Sequence, residues 1–198
     1  LIADDGLQHY RLKRSLEYIV VDAKRMFGNG LRLPAGPLRE SVSRVLGEAN
    51  VVLNGDITTV DAFDFKLTKS PYIMGLKGQQ LINLKDNSVV DIEVFLAEHP
   101  TVNGLAGIGD PQRFFDTLTK ASFQLNVSKG FVDHHSFTPQ DLQSFGEELP
   151  LLMTEKDAVK CLAFANNNCW YLPVEATFTD DAKARFQADI SALSCQNK

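Results

Sequence analysis

Val102-Asn103-Gly104-Leu105-Ala106-Gly107-Ile108-Gly109-Asp110-Pro111-Gln112-Arg113-Phe114-Phe115 decides the fold. Val102–Ile108 is a short apolar run that ends in glycines, which reads as a buried strand entering a turn. Proline has no N–H to lose at the first position of a helix, so Pro111 opens one that runs to Lys120. Phe114, Phe115 and Leu118 give that helix its apolar face. The same strand-to-helix step recurs downstream. A strand lies within 123–132, and Thr138-Pro139 caps and opens a helix to about Phe145. Pro150–Met153 is a strand, and Thr154 caps a helix over 155–165 with an acid, Asp157, at the capping-box position. Trp170–Val174 is a strand and Asp180–Leu193 a closing helix. Right-handed crossovers make 101–175 a small doubly wound sheet. The fold class is α/β.

The alternation also appears upstream. Glu17–Asp22 is a strand, Leu38–Glu48 a helix opened at Pro37, and Asn50–Asn54 another strand. Between these regions Phe63–Leu67, Pro71–Leu76 and Gln79–Leu84 are strand-like, with no strong helix signal. The expected organisation is a first lobe over 1–60, a β-hairpin linker over 61–100, and a second α/β lobe with its closing helix over 101–198. The chain opens on Leu1-Ile2-Ala3-Asp4-Asp5-Gly6, an apolar run that meets an acid pair at once, without an initiator Met. It reads as the end of a buried strand in an incomplete first lobe, in a chain that continues upstream.

Composition narrows the classes. The 198 residues are 44% hydrophobic and 23% charged, which is ordinary globular usage. No window approaches the ~18 consecutive apolar residues of a spanning helix. The net charge is −5, and an acidic chain is a poor ligand for nucleic acid, so no such partner is expected. The cations gather early: residues 1–60 hold 8 Lys and Arg against 7 acids, and 101–198 hold 8 against 12. An anionic partner would meet the first region. Cys161, Cys169 and Cys195 form no CxxC pattern, so neither a zinc site nor a disulfide framework is indicated.

Five motifs could carry chemistry. Asp4-Asp5 at a strand end could hold Mg²⁺, as a Walker B strand does, although acids also end ordinary turns. Phe27-Gly28-Asn29-Gly30 and Leu33 to Glu40 combine glycines with Arg39, a phosphate-pairing group, and Glu40, a possible cation ligand or a dipole-favoured acid at a helix start. Gly107-Ile108-Gly109 is half a dinucleotide fingerprint, left incomplete by Gln112, and is read mainly as a strand-to-helix turn. Asp133-His134-His135 suits proton handling, or one histidine simply caps the next segment. Lys156 at a helix start, where the dipole disfavours a cation, is a candidate anion contact.

In register, these segments, together with Gln8-His9 and Trp170 to Val174, resemble the tetraacyldisaccharide 4'-kinase family, the lipid A 4'-kinases. The resemblance implies a P-loop-kinase-like fold of two α/β/α lobes joined by a β-stranded linker. It implies an ATP-dependent phosphotransferase with an alcohol acceptor, the 4'-hydroxyl of a lipid A disaccharide 1-phosphate. The implied cofactors are ATP and Mg²⁺. The implied location is the cytoplasmic face of the bacterial inner membrane, reached through an N-terminal part outside this sequence. Carried over by motif, Asp4, Asp5 and Glu40 surround the metal, and Gln8, Asn29 and Arg39 lie at the nucleotide. His134, with His135 as its alternative, joins Asp5 in the catalytic set by pairing with an upstream base Asp. The 198 residues contain no Gly-rich Walker A motif, so no transfer is expected from this chain alone. Without the resemblance, the motifs also fit a non-catalytic nucleotide-binding or regulatory α/β module, or another transferase that uses Asp4-Asp5 as a metal clamp.

Overall fold

The computed structural model describes residues 2–47, 49–55 and 67–196. In chain order the elements are β1 (Tyr18–Asp22), α1 (Ser43–Leu46), β2 (Asn50–Asn54), β3 (Tyr72–Lys77), β4 (Gln80–Asn83), β5 (Val89–Asp91), α2 (Ile92–Glu98) and β6 (Thr101–Ala106). They continue with α3 (Pro111–Lys120), β7 (Gln124–Gly130), α4 (Pro139–Gln143), β8 (Leu151–Thr154), α5 (Glu155–Cys161), β9 (Cys169–Leu172), β10 (Glu175–Phe178) and α6 (Asp180–Gln196). These fall into two units, Leu1–Leu76 with Ala176–Lys198, and Lys77–Glu175.

The first unit carries a sheet in the order β1-β2-β3-β10. Its first three strands are parallel, with Val20 opposite Val52 and Val52 opposite Tyr72. Because β2 is covered on both faces, it reads as an unbroken apolar run rather than an alternation. Val51 and Leu53 pack with Ile19, Val21, Phe27 and Val45 on one side. Val52 and Tyr72 pack with Ala182 and Phe186 of α6 on the other. The Tyr18 and Tyr72 hydroxyls both donate to one Asp189 carboxylate oxygen, at 2.6 and 2.5 Å. Arg185 lies over the Tyr72 ring, 4.0 Å from its centroid.

The second unit carries a six-stranded sheet in the order β5-β4-β9-β8-β6-β7. β7, β6, β8 and β9 are parallel, whereas β4 runs antiparallel to both β9 and β5. One face packs Leu105, Leu151 and Met153 against Phe137, Leu142 and Cys161. The other packs Val102, Ala106 and Leu152 against Phe95, Phe114, Phe115 and Leu118. After β6 the chain steps outward to β7, then returns to β8 on the other side of β6. The reversal point lies between β6 and β8, and ligands bind open α/β sheets at the carboxyl ends of strands around such a reversal.

Several expectations are corrected. Residues 2 and 3 carry no secondary structure and Asp4-Asp5 form a turn rather than a strand end, with Ile2 98% exposed. A strand needs a neighbour for its backbone groups, and none pairs with these residues among those described. The expected helix over 38–48 shrinks to α1, because Leu38 is held in a bridge: its N–H donates to Leu31 and its carbonyl accepts from Leu33. Glu48 lies outside the described residues. The 61–100 stretch is not a separate hairpin linker. Its 61–66 portion, with most of the Phe63–Leu67 strand reading, lies outside the described residues. Beyond it, β3 joins the first sheet in parallel, and only β4–β5 is a hairpin, built onto the second sheet. The closing helix α6 packs on the first sheet rather than the second, because its Ala182 and Phe186 cover Val52 and Tyr72. Three elements, α2, β5 and β10, go beyond the sequence reading.

Candidate functional site

In the first unit, Asp5, Gln8, Arg39 and Glu40 line one cavity of about 270 Å³ floored by Ile19, Val21 and Phe27. Gly6 to Leu12 reach it as a chain of tight turns, with Arg14 donating to the carbonyls of Gly6, Leu7 and His9 at 2.9–3.2 Å. Arg39 donates to the Asp5 carboxylate at 2.7 Å, and both side chains are well exposed. Gln8 donates to Glu40 at 3.1 Å. Glu40 also pairs with Arg44, whose guanidinium grips both oxygens of Glu17 at 3.0 Å. The Arg44 hydrogen bond holds the Glu40 carboxyl below the usual carboxylate range.

Four of the expected residues therefore share one cavity, and two do not join them. Asn29 ties its own loop, donating to the Ala35 carbonyl and accepting from the Leu31 N–H. Asp4 sits on the exposed turn beside Asp5, away from the lining. Among the described residues no three His, Cys, Asp or Glu side chains converge as a metal cage. Glu40 is committed to Arg44 and Gln8, so a set of Asp4, Asp5 and Glu40 is not assembled. Asp5 is paired with Arg39 in turn and Asp4 is exposed beside it; one or two exposed carboxylates are the protein share of the other mode of Mg²⁺ binding, which also uses substrate phosphate oxygens.

In the second unit, three connections meet at the carboxyl edge of the sheet. They are the turn after β6, the segment after β7, and the start of α5 after β8. Asp157, wholly buried in the first turn of α5, accepts the Gly107 N–H at 2.8 Å and the Thr154 hydroxyl at 2.6 Å. Lys160 approaches its other oxygen at 3.2 Å. A Cβ at Gly107 would come within 2.9 Å of the Phe137 ring and 3.2 Å of Asp157, so only glycine lets the turn sit this close. The expected capping box is thus half formed. Thr154 accepts the Asp157 N–H, but the Asp157 carboxylate serves the neighbouring turn instead of the helix cap.

The two histidines are treated differently. His135 is half-buried, with ring centroids 4.6 Å from Phe131 and 4.9 Å from Phe137. Its Nε2 lies 3.2 Å from Asp141, which also accepts the Thr138 N–H and hydroxyl. Burial pushes the Asp141 carboxyl up, and these hydrogen bonds outweigh it, leaving the group below its usual range. His135 is thereby packed into the cap of α4. His134 is 78% exposed, with φ +62°. Its N–H donates to Asp133 at 3.0 Å and its Nε2 lies 3.7 Å from the other Asp133 oxygen. Lys156 donates to Asp133 at 2.9 Å and holds that carboxyl below the usual range. The cation expected to meet an outside anion meets Asp133. Sequence reasoning misses Asp157, Asp141 and Arg44 as site residues; the one signal for Asp157 is an acid in the first turn of a helix that follows the apolar run Leu151–Met153.

Both clusters belong to an α/β protein whose polar groups gather around cavities and turns at strand ends. The chain matches the model of the tetraacyldisaccharide-1-P 4'-kinase family over residues 1–192, and it belongs to that family. It is 49% identical over 181 residues to the tetraacyldisaccharide 4'-kinase of Colwellia psychrerythraea, covering 91% of this chain and 52% of that protein. It is 44% identical over 183 residues to that of Haemophilus influenzae, covering 92% and 51%. The fold matches the crystal structure of the "apo" form of LpxK from Aquifex aeolicus in complex with ATP. That match has a TM-score of 0.68 at 26% identity, covering 95% of this chain and 55% of that one. The chain spans about half the length of the curated relatives it matches.

Proposed function

We propose that the protein containing this chain transfers the γ-phosphoryl group of ATP to the 4'-hydroxyl of tetraacyldisaccharide 1-phosphate, a step of lipid A biosynthesis. The observation that carries this reading is the family match over residues 1–192, which runs through both polar clusters. Phosphoryl transfer depends on positioning and charge neutralisation more than on covalent chemistry. Asp4 and Asp5 would hold Mg²⁺ together with phosphate oxygens, and the metal would neutralise charge on the transferring group. Gln8 keeps Glu40 oriented, and Arg39 is placed to exchange Asp5 for a nucleotide phosphate. The exposed ring of His134 would orient the carboxylate base that takes the acceptor hydroxyl proton, while His135 supports the segment from which His134 projects. On this reading the reaction would take place at the cytoplasmic side of the bacterial inner membrane. No helix among the described residues is long and apolar enough to cross a membrane; the exposed cations near Arg11 would add to the contact with anionic headgroups.

The test is incubation of the full-length protein with γ-labelled ATP, Mg²⁺ and tetraacyldisaccharide 1-phosphate, with separation of the lipid products. Label at the 4'-position is the expected result. ATP binding without transfer would favour the non-catalytic module instead. The 198-residue chain, lacking a Walker A loop, is expected to give no labelled product by itself.

A further inference from the structure

We propose that Lys156 is a positioning residue, which holds the Asp133-His134 turn so that the His134 ring is presented at the carboxyl edge of the second sheet. This inference rests on the kinase reading above. Lys156 and His134 use the same Asp133 oxygen: Lys156 Nζ donates to Oδ1 at 2.9 Å and the His134 N–H at 3.0 Å. That choice leaves Oδ2 turned toward His134, 3.7 Å from Nε2. His134 has φ +62°, the left-handed region, which is uncommon for a residue with a Cβ and is occupied here within a turn. Among the described residues, the fixings on the His134 side chain and N–H are the two from Asp133. Lys156 joins the His134 N–H in holding the Asp133 carboxylate.

The anchor beneath Lys156 is rigid. Its sequence neighbour Asp157 is buried and bonded to Gly107 and Thr154. Two consecutive residues of α5 therefore tie its first turn to the turn after β6 and the segment after β7. The Lys156–Asp133 pair is about half exposed on both sides, and exposed pairs contribute little to folding. A pair that adds little to stability but fixes a strained, exposed histidine is explained by what the histidine must do.

The experiment compares Lys156→Met and Lys156→Arg in the full-length protein. Lys156→Met is expected to lower kcat by about 10- to 100-fold, the loss typical of a misplaced reacting group, with KM for ATP within about twofold of wild type. Its thermal midpoint should be unchanged, and Lys156→Arg should restore most of kcat. A second readout needs no activity: the His134 backbone amide NMR resonance, shifted downfield by its bond to an ionised carboxylate, should move in Lys156→Met and return in Lys156→Arg. A wild-type kcat and an unmoved His134 amide in Lys156→Met would overturn the inference. A raised KM with unchanged kcat would also overturn it, by making Lys156 a substrate contact. Absence of transfer by the wild-type protein, with the His134 amide shift present, would sink the kinase reading while the positioning contact stands.

Discussion

The buried carboxylate of Asp157 accepts the backbone N–H of Gly107 across fifty residues of sequence, at 2.8 Å. This bond joins the start of α5 to the turn that leaves β6, the two sides of the point where strand order reverses. Removing the carboxylate strands three donors: the Gly107 N–H, the Thr154 hydroxyl and Lys160. Lys160 is part-exposed and can turn to water, but Gly107 is buried. Asp157→Ala is expected to destabilise the protein by about 3 kcal/mol, the scale of a buried, unsatisfied polar group. The check is urea unfolding: a lower midpoint at unchanged slope. A midpoint within error of wild type would mean that the turn is held by packing alone.

The clamp on α6 sets a pH window for the first unit. The Tyr18 and Tyr72 hydroxyls hold the Asp189 carboxyl below its usual range. The stability linked to it is present above the ordinary carboxylate value of about 4 and is lost as pH falls through the lowered one. Both phenols are pushed up, first by burial and then by the Asp189 carboxylate. Their contribution is present below about 10 and is lost as pH rises through the raised values. Hydrogen exchange of the α6 amides should therefore show a plateau of protection between these limits. Asp189→Asn keeps an acceptor but removes the ionising group, so the acid-side loss should disappear. Tyr72→Phe should cost about 1–2 kcal/mol, as for a hydrogen bond to a charged group. Unaltered α6 protection in both variants would show that apolar packing on Phe186 alone docks the helix.

His134 and His135 are adjacent in sequence but should separate cleanly on mutation. His135 fills the space between Phe131 and Phe137 and bonds Asp141. His135→Ala should cost about 2 kcal/mol through a cavity and a lost bond. His134 is exposed, so His134→Ala should change stability by less than about 0.5 kcal/mol. In the full-length protein the same change should lower phosphoryl transfer by about 10²- to 10⁴-fold, as expected for loss of proton-transfer assistance. Thermal melts and transfer rates on the two variants decide the matter. If His135→Ala lost activity at full stability, the assignments would exchange.

The legible parts of this molecule were local. Pro111 and the Phe114, Phe115, Leu118 stripe define α3 to the residue, because proline at the first position and a helical apolar face lie within one segment. The Asp133-His134-His135 motif was visible for the same reason. β10 was not, since Glu175–Phe178 is an exposed strand without apolar alternation. α2 was missed because seven residues with a single buried side chain, Phe95, carry little periodicity. Sequence proximity puts the closing helix on the nearer sheet, whereas Tyr18 and Tyr72 capture it from more than one hundred residues away. The site followed the same rule. Lys156 stands out in the sequence as an oddly placed cation, but its partner lies 23 residues back, on a different connection. Its neighbours in sequence suggest a metal ligand at Glu40, but the arginine that engages it is fixed by Glu17 on the far side of a long loop.

The cations of the first unit also divide by what they touch. Arg14 is drawn inward, donating to the Gly6, Leu7 and His9 carbonyls and pairing with Glu17 at 3.3 Å. Arg11 and Lys13 are exposed on the same segment, next to the exposed side chains of Tyr10 and Leu12. A basic residue near an anionic bilayer contributes about 1 kcal/mol. Charge reversal at Arg11 and Lys13 together should therefore weaken binding of the full-length protein to phosphatidylglycerol vesicles by more than about tenfold at low salt, with its thermal midpoint unchanged. Arg14→Glu should behave in the opposite manner: it places an acid against three carbonyls and Glu17, so the midpoint should fall, whatever happens to the vesicles. Vesicle co-sedimentation and thermal melts of both variants make the comparison. Unchanged co-sedimentation of the Arg11→Glu, Lys13→Glu protein would remove this segment from the membrane contact.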